Sequence, residues 1–262
     1  MNRNSASGVF EGYEVVNPGG SARVLLTCDH ASNHVPDDFA SLGLPQGRLQ
    51  QHIAWDIGAA AVARLLAQHL DAPAVLSTHS RLLIDPNRKL GSPESILRVS
   101  DGVEIPGNGN VTPEEATLRA QLAFWPYHHE IEKALVLGEH VKGVMALVAI
   151  HSFTPVMAGF ERPWHIGVLY DRDDRLARPL LKGLAALSEV VVGDNQPYSA
   201  THPPGYGFEA YGTSAGRPHV MIEIRQDLIA DDRGAVQWSA RLAQVLSTLL
   251  KDETLFAKRY FR

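Results

Sequence analysis

The sequence predicts an α/β fold, with three α/β/α layers around a mostly parallel mixed sheet. Three observations support this prediction. Short apolar segments rich in β-branched residues alternate with segments of helical periodicity along most of the chain. Residues 144–150 are apolar at every position, which is typical of a central parallel strand covered on both faces. Polar side chains directly follow several predicted strands, at the edge where open α/β sheets bind ligands.

The predicted elements of the first half begin with a lead-in over residues 1–20 and a buried strand at 22–27. A helix is predicted over 57–70 with Asp56 at its N-cap position, and a strand over 72–78. Residues 89–111 contain several glycines and no clear period, which indicates a long loop. Thr112, Pro113 and Glu115 then form the pattern of a capping box with proline at the first helical position. This helix should run towards Leu137 and kink at Pro126.

The second half continues the alternation of strands and helices. We expect strands at 144–150, 165–170, 190–193 and 219–225, and helices at 174–187 and 234–250. Residues 194–216 are rich in glycine, proline and tyrosine and should form a loop or hairpin excursion. The pattern contains no internal repeat, so a single domain over residues 1–262 is expected.

Composition and charge argue against several classes of function. The chain is 45% hydrophobic and 20% charged, as is usual for a soluble globular protein. Its net charge of −5 argues against a nucleic-acid or anionic-membrane partner. The single cysteine excludes an internal disulfide framework and a Cys-rich zinc module. Residues 1–8 lack the apolar core of a secretory signal, and no apolar segment approaches the ~18 residues of a membrane span, so a cytoplasmic protein is expected.

Histidines and carboxylates follow the predicted strands. Asp29, His30 and His34 come directly after the first strand, and His151 ends the most apolar one. Two histidines from separate strand ends, a third ligand and an open position would form a catalytic site for a divalent metal, with Zn²⁺ the first choice. Asp29 could be a ligand or could orient one. The third ligand is either His34 or Asp56, although Asp56 is also explained as a helix cap.

A carboxylate in an apolar strand is a candidate general base. Glu223 lies in the predicted strand 219–225, where burial would raise its pKa towards a useful value. The alternative explanation is a structural ion pair with Arg225 or Arg81. Cys28 could be a nucleophile, but a buried strand-end cysteine more often behaves as a small apolar residue. The sequence contains no phosphate-binding loop, G-x-G-x-x-G dinucleotide fingerprint or H-E-x-x-H motif.

Several side chains are candidates for substrate binding. Arg81, Asn87 and Arg88 offer planar donors suited to a substrate carboxylate, although a surface salt bridge such as Arg88 with Asp85 would also explain them. The region 194–216 could form a pocket wall or lid. The candidate substrate-binding residues are Arg81, Asn87, Arg88, Arg225, Tyr198 and His202.

Five segments together resemble the N-formylglutamate amidohydrolase family over roughly residues 20–250. They are residues 29–36 (DHASNHVP), 55–58 (WDIG), 80–88 (SRLLIDPNR), 150–153 (IHSF) and 222–225 (IEIR). The resemblance implies a phosphorylase/hydrolase-like α/β/α fold related to zinc carboxypeptidases and aspartoacylases. It also implies metal-dependent hydrolysis of N-formyl-L-glutamate to formate and glutamate, as in histidine breakdown.

Site roles carried over from the resemblance agree with the candidates above. His30 and His151 resemble metal ligands, Glu223 the general base, and Asn87 with Arg88 the pair that holds a substrate carboxylate. Many family members have glutamate four residues after the first histidine, where this chain has His34. The carboxypeptidase-like pattern His-x-x-Glu has Asn33 in the glutamate position. His34 is therefore the first choice for the third ligand and Asp56 the second.

These observations predict a metal-dependent amidohydrolase that cleaves N-formyl-L-glutamate or a related N-acyl amino acid. Glu223 would accept and return a proton, and Arg88 or Arg81 would help the metal to stabilise the oxyanion. The expected partner is a small molecule with carboxylate groups, and a homo-oligomer is left open. Two alternatives remain: an amidase for another acyl or peptide substrate, and a non-catalytic ligand-binding protein on the same fold.

Overall fold

A seven-stranded sheet forms the centre of the molecule. The computed structural model describes residues 11–200 and 205–261. Its strands are β1 (Tyr13–Val16), β2 (Val24–Cys28), β3 (Ala74–Ser77), β4 (Ala146–Phe153), β5 (Ile166–Leu169), β6 (Val192–Asp194) and β7 (His219–Arg225). Their order across the sheet is β1-β3-β2-β4-β7-β5-β6, with antiparallel pairing at β1–β3 and β7–β5 and parallel pairing elsewhere. The predicted mixed, mostly parallel sheet is therefore confirmed.

Helices cover both faces of this sheet. They are α1 (Ala59–Leu70), α2 (Pro113–Arg119), α3 (Trp125–Lys142), α4 (Ala177–Ala185) and α5 (Asp232–Leu249). On one face, Val24 and Leu26 of β2 share a buried cluster with residues of α1, α4 and α5. On the other face, Leu25 packs with Ile131 and Leu135 of α3. Because alternate residues of a strand point to opposite faces, the apolar strands bury side chains in both layers.

The helix predicted after Thr112 is present and is interrupted as expected. The Glu115 backbone N–H donates to Thr112 Oγ1 at 3.2 Å, which confirms the N-cap. The Glu115 carboxylate does not complete a capping box but accepts from Arg119 at 2.6 Å. Residues 120–124 form a π-helical turn between α2 and α3, immediately before Pro126. Proline lacks an N–H and cannot continue the regular ladder, which explains the interruption.

The start of α1 differs from the prediction. Gly58, not Asp56, is the N-cap, with a left-handed φ of 82°. A Cβ at this position would lie 2.2 Å from the Ile229 carbonyl oxygen, so only glycine fits the close approach. The helix begins at Ala59, and the Asp56 side chain is thus available for other contacts.

Two segments that lacked a clear pattern contain extended structure. Part of the predicted lead-in is β1, which pairs antiparallel with β3 at the sheet edge. The predicted loop 89–111 includes a small hairpin, Val99–Ser100 with Val103–Glu104. Another hairpin, Val156–Met157 with Phe160–Glu161, follows β4. Over the residues that the structure describes, no helix is both long and apolar enough to cross a membrane.

Candidate active site

The strand order brings the predicted site residues to one edge of the sheet. β2, β4 and β7 are neighbours, so their carboxyl ends lie side by side. His30 follows β2, while His151 in β4 and Glu223 in β7 are directly opposite each other in the parallel register. Asp56 joins them because its backbone N–H donates to the His30 carbonyl at 2.9 Å. All four residues are buried.

His30, Asp56 and His151 form a compact group that could hold a metal ion. One donor atom from each lies within 4.8 Å of the others. Asp56 Oδ2 lies 2.9 Å from His151 Nδ1 and 3.4 Å from His30 Nδ1. Two imidazole nitrogens and one carboxylate oxygen are the donors of several catalytic zinc sites. The chemistry of this donor set therefore suits a divalent ion.

Each histidine of this group also faces a second carboxylate. His30 Nε2 lies 2.7 Å from Asp85 Oδ1, and His151 Nε2 lies 3.0 Å from Asp29 Oδ2. The Tyr127 hydroxyl donates to Asp29 at 2.7 Å. Outer carboxylates of this kind orient metal-binding histidines and raise their basicity. The role of Asp85 was missed in the sequence; its place in the SRLLIDPNR segment was the available signal.

Arg81 lies against two members of this group. Its guanidinium contacts His30 Nδ1 and lies 3.2 Å from Asp56 Oδ1. Because a guanidinium can only donate, these contacts fit a His30 tautomer that accepts at Nδ1 and donates from Nε2 to Asp85. In that tautomer Nδ1, the atom of His30 that faces Asp56, is the one with a lone pair for a metal ion.

Charge distribution in the group is asymmetric. Burial acts to lower the pKa of His151, but the hydrogen bonds that His151 donates to Asp29 and Asp56 outweigh it and raise the pKa to about 10. Burial raises the pKa of Asp56, and the contact with His151 only partly offsets this effect. For Asp29 the balance is reversed, since the hydrogen bond and charge of His151 overcome burial and lower its pKa. The site therefore stabilises positive charge between its carboxylates.

Glu223 lies beside this group, and its surroundings favour proton transfer. Its side chain is 5% exposed, and Oε2 has no hydrogen-bond partner in the described structure. Burial raises the pKa of Glu223 to about 7, although His151 and Arg81 act in the opposite direction. Arg225 instead pairs with Asp227 at 2.8 Å. A buried carboxylate with a pKa near neutrality is suited to accept and return a proton.

A cavity of about 230 Å³ opens onto these residues. Arg81, Asn87, Arg88 and Tyr198 line it together with His30, Asp56, His151 and Glu223. Asn87 Oδ1 is buried without a hydrogen-bond partner among the described residues. A Cβ at residue 205 would lie 2.4 Å from that oxygen, so Gly205 is needed for this approach. The cavity thus presents two guanidinium groups and an amide to a bound molecule.

Three candidates from the sequence lie elsewhere or outside the described structure. The His34 ring packs against His79, with centroids 5.5 Å apart, and is not part of the group that could hold a metal ion. The geometry therefore favours Asp56 over His34 as the third ligand. Arg225 does not line the cavity. His202 lies outside the described residues.

Comparison with known proteins agrees with this geometry. The sequence model for N-formylglutamate amidohydrolase matches residues 22–230, most of the chain. The chain belongs to the N-formylglutamate amidohydrolase family. Membership indicates a hydrolase that acts on amides, and the resemblance noted from the sequence motifs is confirmed. No curated protein matches the sequence.

Two solved structures resemble this family member. A gene product of Agrobacterium tumefaciens is 34% identical, with a TM-score of 0.89, and the match covers 93% of this chain and 96% of that one. The N-formylglutamate amidohydrolase from Ralstonia eutropha is 17% identical, with a TM-score of 0.68, and the match covers 92% and 98%. The second likeness shows a shared fold.

Proposed function

We propose that this protein is a metal-dependent amidohydrolase that cleaves N-formyl-L-glutamate, or a closely related N-acyl amino acid, to the free acid and the amino acid. One observation carries the proposal. A buried His-Asp-His group that suits a divalent ion lies beside a buried carboxylate, Glu223, whose Oε2 has no partner among the described residues. Family membership supplies the reaction class.

His30, Asp56 and His151 would hold the ion, with Asp85 and Asp29 orienting the two histidines. When bound, a divalent cation supplies Lewis acidity, which favours deprotonation of a nearby water and polarises a substrate carbonyl. Zn²⁺ is the first choice because its catalytic sites use three protein ligands of these types.

Glu223 would move the proton. Its unpartnered Oε2 can accept a proton from the attacking water, and its raised pKa allows the same group to donate that proton to the leaving amine. A solvated carboxylate with an ordinary, lower pKa would be a weaker base in the first step. Burial thus gives Glu223 both roles near neutral pH.

Substrate recognition would use the polar wall of the cavity. Arg88 and Asn87 can hold the carboxylate next to the scissile amide, since guanidinium and amide groups offer directed donors. Arg81 lies close to the metal-binding group, so it or Arg88 can stabilise negative charge that develops on the carbonyl oxygen. A substrate with a free carboxylate fits this arrangement better than an uncharged amide.

The test measures metal content and formate release from N-formyl-L-glutamate together. Wild type should contain about one metal per chain and release formate, and His151→Ala should lose both. His140→Ala is the matched control, since this histidine is exposed on the last turn of α3. Bound metal without formate release would direct the search to other N-acyl amino acids. Absence of metal from wild type after reconstitution would overturn the proposal.

A further inference from the structure

A buried arginine beside the cavity lacks the partner that such residues usually have. Arg162 follows the hairpin after β4 and is only 7% exposed. Its guanidinium donates to the Thr154 carbonyl at 3.3 Å and to the Met157 sulfur at 2.9 Å. Within the described part of the chain, no carboxylate pairs with it. A thioether is a weak acceptor, and buried cations are normally paired with an acid. No acid among the described residues therefore neutralises the positive charge of Arg162.

Tyr198 connects this charge to the cavity. Arg162 Nη1 donates to the Tyr198 hydroxyl oxygen at 3.0 Å, and the guanidinium carbon lies 4.9 Å from the centre of the ring. The phenol oxygen acts as acceptor in this contact, so its own O–H is directed elsewhere and can donate. Tyr198 lines the cavity and is 40% exposed, which places it at the opening.

The protonation state of Tyr198 suits a donor. Burial and the nearby Glu223 raise the pKa of Tyr198, while Arg162 lowers it. The net shift is upward, so the phenol keeps its proton at neutral pH. The side chain of Arg162 does not line the cavity, and its link to the cavity is the contact with Tyr198.

The cavity therefore has two separate cationic features. Arg81 and Arg88 line the wall next to the metal-binding group, and Arg162 acts behind Tyr198. One substrate carboxylate can be held by the first pair. A ligand with a second carboxylate would also accept a hydrogen bond from Tyr198 and lie in the field of Arg162.

We propose that Arg162 is a positioning residue that acts through Tyr198 and makes the cavity prefer N-acyl derivatives of acidic amino acids over neutral ones. This inference rests on the proposed amidohydrolase function and specifies its substrate class. Neither the family match nor the metal-binding group assigns a role to Arg162.

The test compares binding of N-formyl-L-glutamate and N-formyl-L-glutamine, which have nearly the same shape and differ in one charge. Metal-loaded Glu223→Gln protein prevents turnover, and calorimetry gives both Kd values. The parent should prefer the glutamate derivative by about 10- to 100-fold, the range for a hydrogen bond to a charged group. In the same background, Arg162→Met should remove most of this preference and leave the affinity for the glutamine derivative nearly unchanged.

Further variants separate recognition from folding. Arg162→Lys should retain part of the preference, since it keeps the charge. Tyr198→Phe keeps the ring but removes the donor, so it should reduce the preference even if Arg162→Met fails to fold. Arg178→Met is the control, because Arg178 is exposed and pairs with Asp174 and Asp194. Arg178→Met should prefer the glutamate derivative over the glutamine derivative by the same factor as the parent.

Two results would overturn the inference: equal affinity of the parent for both ligands, or equal weakening of both in Arg162→Met and Tyr198→Phe. Formate release by wild type is measured separately. If release is absent but binding is selective, the proposed activity fails and the recognition role stands. If formate is released but the parent binds both ligands equally, the activity stands and only the recognition role fails.

Discussion

Two pairs of histidines lie near this site with similar spacing and opposite properties. The ring centroids of His30 and His151 are 5.1 Å apart, and those of His34 and His79 are 5.5 Å apart. In each pair one member follows β2, and the other belongs to or follows a strand next to it. Only the first pair belongs to a group that could hold a metal among the described residues.

The difference comes from the carboxylates around the rings. His151 lies between Asp29 and Asp56, and its pKa is raised to about 10. Burial and then the charge of His34 lower the pKa of His79 to about 4, and His79 Nε2 has no hydrogen-bond partner in the described structure. Adjacent histidines alone therefore do not form a cation site. Oriented carboxylates are also required.

The largest expected effect concerns the third ligand. Asp56→Ala should remove bound metal and lower formate release more than about 100-fold, beyond the effect of losing an outer partner. His34→Ala should retain metal, since its ring packs on His79 outside the group. Metal analysis and kinetics on the two variants decide the question. Loss of metal from His34→Ala, with Asp56→Ala still loaded, would reverse the assignment.

Glu223→Gln should lower kcat about 10²- to 10⁴-fold, the usual contribution of a general base, without loss of metal. The active form of Glu223 is ionised, so the wild-type kcat/KM should rise with pH up to the pKa of this group and then level off. Burial places that pKa near 7 rather than in the usual acid range. In Glu223→Gln, kcat/KM should no longer rise with pH in this range, which is the acid limb of the wild-type profile. An unchanged pH profile in the variant would assign the limb to another group.

The outer carboxylates should have intermediate effects. Asp29→Asn and Asp85→Asn keep the shape but remove the charge that faces His151 and His30. Each should weaken metal affinity about 10- to 100-fold. Asp101→Asn is the matched control, because Asp101 forms a similar pair at 3.0 Å with the more exposed His52. Competition with a chelator gives the affinities, and equal values for all three variants would contradict the role assigned to these carboxylates.

The second histidine pair should affect stability instead of metal binding. The pKa of His79 is lowered from 6.5 to about 4, so His79 is protonated at a lower pH in the folded state than in the unfolded state. Acidification between these two values therefore favours unfolding. This contribution to stability is complete above pH 6.5 and is lost as the pH falls towards 4. Between pH 6.5 and 5 it amounts to roughly 1 kcal/mol once partial solvent screening is included.

His79→Phe should remove this part of the acid sensitivity. The free energy of unfolding in urea is measured at pH 6.5 and at pH 5 for both proteins. His140→Phe is the control, because His140 is exposed and its replacement should leave the wild-type pH dependence of stability unchanged. If the wild-type and His79→Phe proteins lose equal stability on acidification, the burial of His79 does not contribute to the pH dependence.

Some features could be predicted because they depend on neighbouring residues. The cap at Thr112 and the interruption before Pro126 follow from local backbone chemistry. The apolar segment of β4 indicated a central strand, and the structure places His151 in it. The carboxyl ends of parallel strands lie at one edge of a sheet, so the sequence also predicted that His30, His151 and Glu223 lie close together.

Other features depend on residues far apart in the chain. Asp56 and His151 are 95 residues apart, and their contact required the sheet order and the start of α1 at Ala59. The pattern around Asp56 suited a helix cap equally well, because a carboxylate before a helix is common without any catalytic role. The signal for Asp85 was only its place in the SRLLIDPNR segment, and Arg162 had no local signal that separated it from surface charges.

The sequence by itself determined the alternation of strands and helices, the polar residues at strand ends and the family. These depend on the periodicity of apolar residues and on motifs whose members are close in the chain. The tertiary structure decided which carboxylate accompanies the two histidines, which oxygen of Glu223 lacks a partner and which arginine is buried without an acid. The physical reason is that pKa values and charge pairing depend on burial and on neighbours across strands, which only the packed sheet defines.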